Sequence, residues 1–399
     1  MLSEQSIPIV RATLPLVGAA IDEIAELFYA KLFDDLPELL RDLFNRGNQA
    51  NGEQKKALAG SIAAFAGMLL EHPDARPDAM LARIAHKHAS LGVTSDQYKL
   101  VHQHLLAAVG EVLGDAVTGD VAAVWDEVYW LMANALIAVE ARLYQEADVA
   151  DGRVWRQMKV IDRREETPDA VSFVLGRIDG SPAGAFRPGQ YVSVQVELPD
   201  GARQIRQYSL SAAPGSDPWR ITVKRVNGMA GPEGEVSSWL HENVRVGDVL
   251  TVSAPFGDLV LPEGDGPLLL ASAGIGCTPM LSMLHHLAAG RTSREVTVVH
   301  ADRTPADHAH RDELRRLVQA LPHATLHLWY EEPGDDAPGA SAGQADVTAL
   351  ELPEGLNAAY LCGPLPFMRA VRGDLLRLGL PAHAIHYEVF GPDLWLGRE

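Results

Sequence analysis

Up to about residue 147 the apolar residues of this chain recur at three- and four-residue spacing; after about residue 153 they alternate, and after about residue 263 they gather into short unbroken runs. The three patterns demand three packing surfaces: a helical stripe, a sheet with one buried face, and strands covered on both faces. DEIAELFYAKLFDDL, EQKKALAGSIAAFAGMLL, SDQYKLVHQHLLAAVGEVL and VAAVWDEVYWLMANALIAVEARLYQEA carry the helical stripe. Pro37, Asn51-Gly52, Pro73-Asp74 and Thr94-Ser95-Asp96 separate them with turn and cap signals. This predicts an all-α domain over residues 1–147, followed by an acidic linker at 148–152 within QEADVADGRVW.

RQMKVIDRREE, AVSFVLGRI, QYVSVQVELP, RQYSLSAAP, WRITVKRV and DVLTVSAP read as six strands, with Pro-Gly, Asp-Gly and Asn-Gly turns between several of them and one helix, EVSSWLHENV. They predict a small antiparallel β-barrel over 153–262. In 263–399 the strands PLLLASAG, EVTVVHA, TLHLWYEE and AAYLCGP alternate with helical segments, which predicts a parallel α/β sheet. The uncharged run at 267–284 has the length of a membrane span. Gly274, Gly276, Thr278 and Pro279 in its middle make a buried strand, a turn and a helix start the better reading.

A net charge of −19 argues against nucleic acid as a partner, because phosphate binding wants a basic face. Two cysteines, Cys277 and Cys362, make no disulfide framework and fit a reducing, cytoplasmic setting. The start, MLSEQSIPIV, lacks the basic and apolar regions of a signal peptide.

RIAHKHASLGV, residues 83–93, places His86 and His88 two positions apart on a helix, about 200° around the axis, so one metal cannot take both. His88 shares a stripe with Leu81, Ile84, Ala85 and Leu91, and His86 falls with Ala82, Arg83, Ala89 and Ser90. His88 is therefore expected to face the core and His86 the rim; His88 is either a hydrogen-bonded interior residue or a ligand. Glu140 sits among Leu136, Ile137 and Leu143. A carboxylate there is costly unless paired; otherwise it reaches solvent at the helix edge.

With these stretches in place the chain resembles a flavohemoglobin: a globin, a flavin-binding barrel and an α/β nucleotide-binding sheet, in that order, over essentially the whole length. KHASLGV is similar to the family's proximal stretch. The resemblance implies heme b, with His88 as axial ligand of the iron and Lys87 beside it. It places Tyr29 of FYAKLF, Phe44 of DLFNRGNQ, and Gln54 and Leu58 of NQANGEQKKAL around the heme, with Tyr29, Gln54 and Leu58 on the distal side. Tyr98 of SDQYKLV and Glu140 would form a polar relay with His88. A carboxylate accepting the second imidazole proton makes the ligand more electron-rich, and a tyrosine hydroxyl stabilises charge developing on oxygen. That combination suits a site that activates O2.

RPGQYVSVQV with Tyr191, the run Arg206-Gln207-Tyr208-Ser209, and GEVSSWLHE resemble the barrel of ferredoxin–NADP reductase relatives. The resemblance implies FAD, with Arg206 on its pyrophosphate, Tyr208 packed on the isoalloxazine, Ser209 near the reactive nitrogen and Gly234 to Ser237 offering N–H groups to phosphate. The loop VNGMAGPEGEV is longer than in these relatives. Gly274-Ile275-Gly276-Cys277-Thr278-Pro279 follows strand LLLASA and would hold the pyrophosphate of NADH or NADPH, although it is not GxGxxG. Cys362-Gly363-Pro364 would lie beside the nicotinamide. Glu388-Val389-Phe390-Gly391-Pro392 would place Phe390 beside the flavin and Glu388 between flavin and heme. Cys277 has no basic neighbour in sequence and reads as a small filler. Asp302 and Arg303 leave the choice between NADH and NADPH open.

The family's activity, conversion of NO and O2 to nitrate with electrons passing from NAD(P)H through FAD to heme, is what the resemblance implies. Alternatives built from the same parts are an NAD(P)H oxidase, a peroxide or ferric reductase, an O2 or NO sensor, and an O2 carrier with its own reductase. No stable protein partner is implied, and a lipid in the heme pocket is compatible with the resemblance.

Overall fold

A computed structural model describes the chain except residues 75–76, 216, 229–232, 336 and 392–399, and the side chain at 79. It packs as two compact units. The first contains Met1–Trp155 with Gln195–Arg206; the second contains Arg156–Val194 with Gln207–Phe390.

The first unit is helical: α1 Ser6–Asp35, α2 Pro37–Asp42, α3 Arg46–Ala50, α4 Glu53–Glu71, α5 Asp78–Leu91, α6 Ser95–Leu113 and α7 Gly119–Glu146. α1 packs on α4, α6 and α7, and α5 packs on α7. Val10, Ile24, Phe28, Leu32, Phe65, Leu81 and Ala108 lie at its core. α6 starts at the Thr94-Ser95 signal, with a capping box in which the Thr94 N–H donates to Gln97 Oε1 at 2.9 Å. α5 stops at Gly92, whose φ of +76° is left-handed and whose added Cβ would stand 2.7 Å from the Gly152 carbonyl oxygen. By length and composition α7 could cross a membrane; it packs on α1, α5 and α6.

The division of α5 into a core face and a rim face needs correction. Ala89 and Ser90, grouped with His86, are fully buried. His86 and His88 are both half-buried, so burial does not separate the two histidines.

The next strands are β1 Trp155–Thr167, β2 Ala170–Arg177, β3 Tyr191–Glu197, β4 Arg203–Ser209, β5 Trp219–Lys224 and, after α8 Glu235–Asn243, β6 Val249–Ser253. They form one sheet in the order β4-β3-β6-β1-β2-β5. β1 pairs antiparallel with β2, and β2 with β5. β4 runs from Arg203 to Ser209, upstream of the strand expected at 206–214. Part of the long loop before α8 falls outside the described residues.

The second unit continues with β7 Leu268–Ala273, α9 Cys277–Ala289, β8 Val296–Asp302, α10 Arg311–Gln319, β9 Ala324–Tyr330, β10 Ser341–Ala342, β11 Ala358–Cys362, α11 Leu365–Arg377 and β12 Ile385–Glu388. This sheet is parallel throughout, in the order β10-β9-β8-β7-β11-β12. The run at 267–284 resolves into β7, a turn and the start of α9, with the strand and the helix start buried and the turn partly so. The order reverses between β7 and β11, which opens a crevice beyond the carboxyl ends of those strands.

Candidate functional site

His88 is set by the last turn of α5. Its Nδ1 lies 2.9 Å from Glu140 Oε1 and 2.9 Å from the Tyr98 hydroxyl. The Tyr98 hydroxyl in turn donates to the same Glu140 oxygen at 2.5 Å. Glu140, on α7, is only 3% exposed, so the alternative of an acid reaching solvent does not hold. Burial, then the adjacent Glu140 charge, pushes the Tyr98 pKa far up, so its hydroxyl stays a proton donor.

A carboxylate can only accept, so the imidazole proton sits on Nδ1 and the Nε2 lone pair is left for a ligand. Two backbone anchors hold the relay. Tyr144, one turn beyond Glu140, donates to the Val93 carbonyl at 2.6 Å, and Tyr129 donates to the Tyr98 carbonyl at 2.6 Å. Among the described residues no group of three or more His, Cys, Asp or Glu could hold a metal alone.

Tyr29 on α1 is buried against Phe28, Phe33 and Phe44, with the Phe44 ring edge-on at 5.8 Å. Burial pushes its pKa up, and the side-chain amides of Gln54 and Gln49 pull partly the other way. Tyr29, Phe44 and Gln54 thus come together as the sequence suggests, and Leu58 follows Gln54 by one turn of α4. Lys87 precedes His88 on α5. Gln49 was not among the sequence candidates; it sits on the five-residue helix α3, too short for any periodicity to mark.

Tyr191 opens β3, and Gly257 approaches so closely that an added Cβ would lie 3.1 Å from its ring. Arg206, Gln207, Tyr208 and Ser209 end β4. Arg206 Nη1 donates to the Ile205 carbonyl at 2.8 Å and to Gln204 Oε1 at 3.3 Å, while Gln207 Nε2 donates to Ser193 Oγ at 3.0 Å. Ser209 Oγ is buried and has no hydrogen-bond partner among the described residues, so it fits a hydroxyl reserved for a bound group. At the start of α8 the Ser237 hydroxyl donates to the Gly234 carbonyl at 3.0 Å.

The two nucleotide motifs meet at the crevice. A Cβ on Gly276 would stand 2.3 Å from the Cys362 carbonyl oxygen, and one on Gly363 would stand 3.0 Å from the Ala273 nitrogen. Only glycines let the Gly274–Pro279 turn and the Cys362–Pro364 turn nest this closely. Burial pushes the Cys277 thiol up to about 12, with Asp302 adding to the shift and Lys224 and Arg220 opposing it; the Cys362 thiol is also raised. Inert fillers, not nucleophiles, follow. Glu388 ends β12 and is buried, with its Oε1 accepting from the Val389 N–H at 3.1 Å. Phe390 is 50% exposed, and Gly391 follows. Pro392 lies outside the described residues.

A second polar cluster escaped sequence reading because its members are far apart in the chain. Glu313 on α10 takes both Arg220 nitrogens at 2.8 and 2.9 Å and His285 at 2.7 Å, and lies 3.2 Å from His310 Nδ1.

Residues 26–136 match the globin family model, and residues 270–373 match the oxidoreductase NAD-binding domain. The chain is 42% identical to the flavohemoprotein of Rhizobium meliloti, over 99% of this chain and 100% of that one. It is 43% identical to the flavohemoprotein of Chromobacterium violaceum, over 98% of each. Among solved structures it is similar to the flavohemoglobin of Malassezia yamatoensis with bound FAD and heme, at a TM-score of 0.89 and 37% identity over 98% of this chain and 100% of that one. The FAD/NAD-binding domain of nitric oxide dioxygenase from Vibrio cholerae matches 60% of this chain and 100% of its own at a TM-score of 0.56 and 38% identity. With identity and coverage of that order along its whole length, the chain belongs to the flavohemoprotein family.

Proposed function

We propose that the chain is an NAD(P)H-dependent nitric oxide dioxygenase that turns NO and O2 into nitrate. The observation that carries this reading is the proximal relay, in which a buried carboxylate and a tyrosine hydroxyl both converge on His88 Nδ1. When bound, heme supplies O2 activation, FAD splits a hydride pair into single electrons, and NAD(P)H supplies the hydride.

The chain's own residues position and protect these groups. His88 presents Nε2 to the iron, while Glu140 and Tyr98 lock its tautomer and raise its basicity. Tyr29 and Gln54 would offer hydrogen bonds to a ligand of the heme, Phe44 and Leu58 would line its pocket with apolar surface, and Lys87 would flank His88. Arg206 serves the FAD pyrophosphate, Tyr191, Gln207 and Tyr208 its ring system, and Ser209 keeps an unspent hydroxyl for the flavin. Gly274, Ile275, Gly276, Cys277, Thr278 and Pro279 cradle the dinucleotide, with Cys362, Gly363 and Pro364 beside them. Glu388, Val389, Phe390 and Gly391 complete the flavin side. The corresponding domains are 1–147, 153–262 and 263–399, with a linker at 148–152. Two buried free thiols support a cytoplasmic setting.

The test is stoichiometric. With NADH and O2 the purified holoenzyme should form about one nitrate per NO consumed, and without O2 it should form none. NADH oxidation that ignores NO and yields peroxide would overturn the reading in favour of an oxidase.

A further inference from the structure

We propose that Gln49 is a second distal amide acting with Tyr29 and Gln54 on the ligand at the heme iron, and that Gln204 of β4 is the positioning residue that aims it. The proposal rests on the heme reading above.

Gln49 Nε2 is buried and makes no hydrogen bond of ordinary geometry among the described residues. It is nevertheless close enough to the Tyr29 hydroxyl to affect its acidity. A buried donor left in that state costs stability. It fits a pocket whose last acceptor arrives with the ligand, beside the one tyrosine already assigned there.

Gln204 explains why Gln49 is held in that place. Its side chain is fully buried. Nε2 donates to the carbonyls of Arg41 at 3.0 Å, Phe44 at 3.2 Å and Leu40 at 3.4 Å; Oε1 accepts from the Arg46 N–H at 3.3 Å. These bonds grip the residues on both sides of Asn45, the N-cap of α3. The Asn45 carbonyl then accepts the Gln49 N–H at 3.0 Å, and its side chain accepts the Asn48 N–H at 3.2 Å. One amide on β4 therefore fixes the turn that carries Gln49. Ion pairs of Arg46 with Asp200 at 2.6 Å and of Arg203 with Asp42 at 2.8 Å brace the same corner. Gln204 Oε1 also accepts from Arg206.

The experiment uses full-length holoenzyme with Gln49→Leu, Gln204→Met and the double substitution. The readouts are the C–O stretching band of the ferrous carbonyl complex and the O2 dissociation rate by stopped flow. Gln49→Leu should move the C–O band to higher frequency and speed O2 release about three- to tenfold, the loss of one neutral hydrogen bond. Gln204→Met should act in the same direction but less, and should add nothing in the double variant, because it works through Gln49. A Gln49→Leu protein with wild-type band and release rate overturns the distal role. Gln204 effects that add to those of Gln49→Leu overturn the positioning role. A wild-type chain that forms no carbonyl complex at all overturns the heme reading beneath both.

Discussion

Replacing Glu140 by Gln keeps the side chain's size and one acceptor oxygen and removes its charge, so it isolates what the carboxylate does to His88. The bond from His88 Nδ1 is 2.9 Å long and lies in a region where Glu140 is almost completely shielded from water. A hydrogen bond to a charged group contributes about 1.5–3 kcal/mol and a neutral one about 0.5–1.5 kcal/mol. The substitution therefore removes about 1–1.5 kcal/mol of polarisation from the imidazole. A more electron-rich imidazole favours the ferric over the ferrous state, so losing that polarisation makes the iron easier to reduce. At about 59 mV per tenfold change for one electron, the heme midpoint potential should rise by about 40–65 mV. Spectroelectrochemical titration of the Soret band measures it, and the flavin bands in the same sample provide a control that should not move. Tyr98→Phe removes a hydroxyl 2.9 Å from the same nitrogen but leaves the carboxylate's charge in place, so it should shift the potential by less. An unchanged or falling potential in Glu140→Gln with the heme retained would refute the argument that the carboxylate tunes His88.

Gly276→Ala forces a methyl group to within 2.3 Å of the Cys362 carbonyl; it should cost about 1–3 kcal/mol and slow flavin reduction by NADH, measured by chemical unfolding and stopped flow, and a variant with normal hydride transfer would show the nesting of the two turns to be dispensable. Cys277 has its pKa pushed up to about 12 by burial, so neither thiol should react with a thiol reagent at about pH 8 until the chain unfolds; rapid labelling of one thiol in the native protein contradicts this. Burial raises the Glu313 carboxyl, but hydrogen bonds from His285, His310 and Arg220 outweigh it and hold its pKa below the ordinary range. Its stabilisation is complete above about pH 4.3 and is lost as the pH falls toward the lower folded value. Glu313→Gln should then be less stable than wild type near neutrality and lose less stability on acidification, followed by guanidinium unfolding; parallel stability curves would refute it.

Periodicity made the three architectures and most of the longer elements visible, because each buries a different repeat of apolar residues. It failed where a polar residue is buried or a turn is short. Gln204 and Arg203 begin β4, but their polarity hid the strand's true start from a reading that looks for alternation. Gln49 belongs to a helix of barely more than one turn, and its role depends on Tyr29 and Gln204, which are distant in sequence. α5 departs from its expected faces for a related reason: Ala89 and Ser90 are small enough to be buried on a face that composition suggests is outer. The glycine turns were legible as motifs, but not that Gly276 faces Cys362, because the neighbouring strands β7 and β11 that carry the two turns lie far apart in the sequence.

The proximal relay also bears on the choice between a catalyst and an oxygen carrier. A packed helix core gains nothing from a carboxylate: desolvating an ion costs several kcal/mol, and a leucine of similar size would stabilise the α5–α7 contact instead. Here the charge is kept in place by Tyr98, whose hydroxyl donates to it, and by Tyr144, which staples the next turn of α7 to the end of α5. Two further side chains thus hold one buried acid against His88. A carrier needs only a neutral imidazole with any carbonyl on its second nitrogen, because reversible binding does not require added electron push. The structural expense of the relay makes sense where electron density on the iron decides a reaction. If Glu140→Gln leaves nitrate formation from NO at the wild-type rate, the relay serves packing, and a carrier regains its claim.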